Sequence, residues 1–126
     1  MSENELNIAA TKNTPKVIGS MTKGFLRLEG SSFPENSKKF YDPLMIWVAE
    51  SRKIASTFEI EASFSYVSSS SLIAILNLLK RFQSLYGAES VTLKWYYEED
   101  DDDILKIAED YRKIIEIAIE CISIQG

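Results

Sequence analysis

At 126 residues, 45% hydrophobic and 26% charged, the chain has the size and composition of one folded domain whose core needs no disulfide or metal staple. Its formal net charge of −5 argues against nucleic acid as the main partner, which demands clustered Lys and Arg. The absence of histidine removes Ser-His-Asp and Cys-His catalysis, His phosphorelay and His-containing zinc sites together, and the lone Cys121 rules out a Cys-rich metal site.

No apolar run approaches the ~20 residues that cross a bilayer. Met1-Ser2-Glu3-Asn4-Glu5 lacks the basic flank and apolar core of a signal peptide. With a single cysteine, these features set the expectation of a cytoplasmic protein that binds no membrane. No motif asks for a cofactor, and the missing catalytic pieces argue against an enzyme.

Residues 1–14 are polar and without a sustained period, which predicts a flexible arm ahead of a single domain over 15–126. Pro15–Gly19 and Phe25–Glu29 are short strand candidates joined by a hairpin loop, with Gly24 free to take an unusual backbone angle. Gly30 to Ser37 is a loop by composition. Asp42 followed by Pro43 predicts a first helix over about Asp42 to Ala55, with Leu44, Trp47 and Val48 on its apolar side.

Phe58, Ile60, Ala62, Phe64 and Tyr66 then alternate with Glu59, Glu61, Ser63 and Ser65, the period of a half-buried strand. Leu72, Ile75, Leu76, Leu79, Phe82 and Tyr86 follow at helical spacing, and Gly87 suits the helix end. Ser90–Tyr97 alternates again. Glu98–Asp103 places carboxylates in the first turn of a third helix that ends near Lys113, and Ile115–Cys121 returns to the strand period, although periodicity alone also allows a continuous helix through Ile119.

The order β-β-α-β-α-β-α-β implies a mainly parallel sheet with right-handed crossovers. Parallel strands covered on both faces read as continuous apolar runs, whereas these alternate. The expectation is therefore a two-layer α/β domain: a mixed, mostly parallel five-stranded sheet with three helices mainly on one face.

Ser68-Ser69-Ser70-Ser71 falls at the junction between the central strand and the second helix. One serine can cap that helix, and an exposed one beside its N-terminus is favourably placed to carry a phosphate. Two stretches here resemble known motifs. Ser32-Phe33-Pro34-Glu35-Asn36-Ser37 is similar to the S-[YF]-P-E-N-S loop of the SiaC family of small bacterial regulatory phosphoproteins. Tyr66-Val67-Ser68-Ser69-Ser70-Ser71 resembles that family's Y-[LFV]-N-[TS]-S-S run. The resemblance extends from about Thr14 to the C-terminus, and the arrangement is also STAS-like, similar to the anti-anti-sigma domains of partner-switching systems.

The resemblance implies phosphorylation at Ser69 by a dedicated Ser/Thr protein kinase, with Ser70 as the rival acceptor, and reversal by a PP2C-type phosphatase. It further implies that the unphosphorylated form binds and activates a diguanylate cyclase, promoting cyclic-di-GMP signalling and biofilm formation. Pro34, Glu35, Asn36, Ser68, Ser70 and Ser71 are the expected loop and partner-binding residues. Here Ser68 replaces the family's usual Asn, and Ser69 its frequent Thr. Two other readings remain at this point: a STAS-like anti-sigma factor antagonist, and a small carboxylate enzyme using Glu35 with the acidic block, which requires one cleft to contain both. The acidic block lacks calcium-loop spacing and reads as a solvated helix start, so no metal is expected.

Overall fold

Side-chain alternation in the strands places one phase against helices and the other in solvent. The computed structural model describes residues 4–125. Its elements are β1 Glu5–Ile8, β2 Lys16–Ser20, β3 Phe25–Ser32, α1 Ser37–Ser51, β4 Phe58–Val67, α2 Ser69–Tyr86, β5 Val91–Glu98, α3 Asp102–Arg112 and β6 Ala118–Ile124. The strands lie in chain order across one sheet. β1, β2 and β3 pair antiparallel, and β3 to β6 pair parallel. Three successive crossovers of one hand, all stepping the same way, set the helices on a common face.

Leu26, Leu28, Phe58, Ile60, Phe64, Leu93 and Trp95 fill the space beneath those helices, facing Leu44, Trp47, Val48, Ile75, Leu79 and Phe82. Burying each such side chain contributes roughly 1.5–3 kcal/mol. The opposite phase is polar. Arg27 there pairs with Glu29 and Glu61 and lies over the Tyr96 ring, and Lys94 reaches Glu59. The two-layer α/β expectation is met.

Three local expectations are corrected. The sheet has six strands, because Glu5–Ile8 pairs with β2 from Glu5↔Ser20 to Ile8↔Val17. That segment of the expected 1–14 arm is an edge strand that packs Leu6 and Ile8 on the core. The first three residues of the arm, and Gly126 at the end of the expected domain, lie outside the described residues. The first helix starts five residues earlier than Asp42. Asn36 is its N-cap, accepting from the Lys39 amide at 3.0 Å, and Pro43 lies within the helix. The last strand lies three residues beyond its expected start, with Ile115 and Ile117 buried on the approach to it. Gly24 has φ +64, and a Cβ there would stand 2.4 Å from the Thr57 carbonyl oxygen, so only glycine fits this corner.

Candidate functional site

β3 and β4 end side by side, with Ser32 paired to Val67 and the Ser68 amide donating to the Ser32 carbonyl at 2.9 Å. This is the carboxyl edge of parallel strands, where open α/β sheets present their binding loops. The two chains leaving it begin α1 and α2, so two helix N-termini and six serines converge within a few residues of sequence.

Ser68 is extended (φ −74, ψ 165) and caps α2, its hydroxyl accepting from the Ser71 amide at 3.2 Å. Ser71 is fully buried and receives a hydrogen bond from Ser32 at 2.8 Å. Ser32, also fully buried, meets the Tyr41 hydroxyl at 2.8 Å. Ser37 is 2.9 Å from the Ser70 hydroxyl and 3.3 Å from that of Ser71, and Ser70 is 3.3 Å from Ser68. From the far side, Tyr111 donates to the Leu72 carbonyl at 2.6 Å. Burial pushes the Tyr41 phenol up to about 12, against the opposing effect of its bond to Ser32. Burial, with the nearby Tyr41, also raises Tyr111. Both stay neutral hydroxyls at ordinary pH.

Ser69 stands outside this web. It is the first residue of α2, it is exposed, and among the described residues its hydroxyl has no hydrogen-bond partner. An N1 side chain also sits where the helix dipole favours negative charge.

The remaining expected residues sort by place. Pro34 is half-buried, Glu35 and Asn36 are exposed, and Asn36 is held by its capping bond. Ser70 is exposed but hydrogen-bonded. Ser71, expected on the contact surface, is sealed in the core side of the junction and braces it instead. Sequence reasoning passed over four residues that shape the site. Ser32, Ser37 and Tyr41 form the brace, and the exposed residues Phe33 and Tyr66 pack edge-to-face at 5.6 Å. The loop motif itself held the signal, since its two serines bracket the aromatic residue.

An open groove of about 1050 Å³ runs from this junction between α1 and α2. Glu35, Asn36 and Ser70 line one end, Met45, Ile46 and Ile73 the middle, and Lys80 and Arg81 the other. The acidic block borders a separate depression. Asp101 caps α3 through the Ile104 amide at 3.1 Å, and no group of residues suited to a metal ion occurs among the described residues. Glu35 lines the groove and the acidic block the other depression, so neither of these two holds the pair that the carboxylate-enzyme reading requires.

The model of the SiaC family regulatory phosphoproteins matches residues 8–124. The chain belongs to the SiaC family. An uncharacterized protein of Pseudomonas aeruginosa strain UCBPP-PA14 is 28% identical over 113 residues, spanning 86% of this chain and 88% of its own. The solved SiaC of Pseudomonas aeruginosa superposes with TM-score 0.86 at 25% identity, covering 98% of this chain and all of that one. The apo-SiaC crystal structure gives 0.84 at 27%, covering 97% of this chain and 99% of that chain. A crystal structure of the diguanylate cyclase SiaD in complex with its activator SiaC, from the same organism, matches at 0.86 and 25%, covering 94% of this chain and 99% of the matched one. The SiaC-family fold is thus present over nearly the whole domain. No helix among the described residues is long and apolar enough to cross a membrane.

Proposed function

We propose that this SiaC-family domain, when unphosphorylated, binds and activates a diguanylate cyclase, and that phosphorylation of Ser69 by a Ser/Thr protein kinase releases it. A PP2C-type phosphatase restores the active form. The observation that carries this reading is the Ser69 hydroxyl, exposed and unbonded at the head of α2 while its neighbours are tied into the brace. Supporting it are the family to which the chain belongs and the cyclase complex of its structural relative.

The physics of the switch is asymmetric. Phosphate adds about −1.5 to −2 charges. The helix N-terminus offsets that charge by something on the order of 0.3–1 kcal/mol, so the isolated domain tolerates the modification. A partner docked flush over Ser69 confronts a desolvated dianion, at several kcal/mol unless it supplies a counter-charge. At ~1.4 kcal/mol per tenfold in affinity, even ~3 kcal/mol weakens binding about a hundredfold.

The test is titration of the cyclase with wild type, Ser69→Ala and Ser69→Asp. Ser69→Ala is expected to activate as wild type does, and Ser69→Asp to lose at least tenfold in affinity while keeping its melting temperature. Equal binding by all three sinks the reading.

A further inference from the structure

Ser69 and Ser70 are both exposed, so access by itself does not explain why an enzyme would modify one and leave the other. Their hydrogen bonding differs. Ser32 donates to Ser71, which leaves Ser71 its own proton to give to Ser37. Ser37 can then donate to Ser70, and Ser70 to Ser68, whose oxygen already accepts the Ser71 amide. With Tyr41 donating to Ser32, each hydroxyl from Tyr41 to Ser70 donates once, in one direction, and the relay ends on the helix cap. Ser69 takes no part in it.

We propose that Ser37, at the start of the neighbouring helix, selects the phosphoacceptor: it holds Ser70 and leaves Ser69 as the free hydroxyl of the run. This rests on the phosphorylation reading above and adds to it a specificity residue outside the serine run. Phosphoryl transfer from a nucleoside triphosphate forms the Oγ–P bond, breaks the bond from the γ-phosphorus to the diphosphate oxygen and releases the hydroxyl proton to a base. In Ser70 that proton is engaged by Ser68, and an oxygen lone pair is engaged by Ser37. Those two bonds occupy the proton and one of the two lone pairs and fix the hydroxyl's orientation, so presenting Ser70 for attack costs the hydrogen bonding that turning it away gives up. In Ser69 neither is engaged. Ser37 is itself only 7% exposed, so it acts by positioning.

The experiment expresses wild type, Ser37→Ala and Ser37→Thr in the native host. Phosphate is then located by fragment-ion mass spectrometry on the tryptic peptide spanning residues 54–80. Wild type is expected to carry phosphate on Ser69. Ser37→Ala should raise the Ser70-to-Ser69 ratio about fivefold, the factor given by one hydrogen bond. Ser37→Thr, which keeps the hydroxyl, should return the wild-type ratio, and Ser37→Ala/Ser70→Ala should show Ser69 alone. If Ser37→Ala does not fold, as judged by circular dichroism, Ser37→Cys makes the same comparison with a weaker hydrogen bond. A folded Ser37→Ala or Ser37→Cys single variant whose phosphate stays on Ser69 alone overturns the proposal and leaves the phosphorylation reading standing. Wild type that carries phosphate on Ser70 as often as on Ser69 overturns it too. Wild type with phosphate on neither overturns both.

Discussion

Tyr41 and Ser32 carry the junction's least replaceable contact, because both are buried and each has its hydroxyl satisfied only by the other members of the brace. The Tyr41 phenol has a definite pH signature. The unfolded chain loses this proton near pH 10, whereas the folded chain holds it to about 12. Over that window the unfolded state binds fewer protons, so stability falls as pH rises. The contribution is fully present below pH 10 and lost through 12, on the order of 2–3 kcal/mol. Tyr111 adds to the loss with the same sign. Urea denaturation at pH 9 and pH 11.5 should show a smaller alkaline loss in Tyr41→Phe than in wild type. At pH 7 that variant should be weaker by roughly 0.5–1.5 kcal/mol for the lost hydrogen bond. An identical alkaline loss in both proteins would mean that Tyr41 is not the titrating group.

At the level of the elements, the start of α1 shows where sequence pattern gives out. Asp42-Pro43 is the stronger local start signal, yet the buried positions are Ser37, Tyr41, Leu44, Trp47, Val48 and Ser51. They form a continuous helical stripe whose first turn is hydroxyl-bearing and so does not register as apolar. Tertiary hydrogen bonds from Ser37 and Tyr41 outweigh the cost of a proline inside the helix. Asn36→Ala should therefore destabilise the protein by about 1 kcal/mol, and Asp42→Ala, without a capping role, by much less. Thermal melts distinguish them, and equal effects would return the helix start to Asp42. The same logic explains β1, whose four residues are too short to show a period and gain their order from pairing with β2. By contrast, β4, β5 and the acidic start of α3 were legible because alternation and helix capping are local. The motif pointed to Ser69, and the place of that residue at the head of α2 followed from the local strand-to-helix change. The partners of its neighbours were not legible, since Ser32–Ser71 and Ser37–Ser70 join residues 39 and 33 positions apart.

For the molecule as a whole, the question is which part of the surface a partner reads. The open sheet face is a lattice of paired charges, including Arg27 with Glu61 and Lys94 with Glu59, and such solvated pairs add little to association. The junction is different. Phe33, Tyr66 and Ile73 are exposed to 38%, 54% and 63%, and they flank Ser69 through the loop, the end of β4 and the next turn of α2. Aromatic anchors of this kind dominate binding energy at protein interfaces, and under the proposed function a phosphate on Ser69 would stand among them and oppose the whole contact. Tyr66→Ala should lower cyclase affinity about 30-fold, equivalent to ~2 kcal/mol, while stability falls by no more than the ~0.5–1.5 kcal/mol of its ring contact with Phe33. Ile114 supplies the control. It is 53% exposed but follows α3 at the opposite end of the sheet, near the Gln83–Glu116 contact. Ile114→Ala should bind as wild type does, and matched losses in the two variants, measured by calorimetric titration, would move the interface away from the junction.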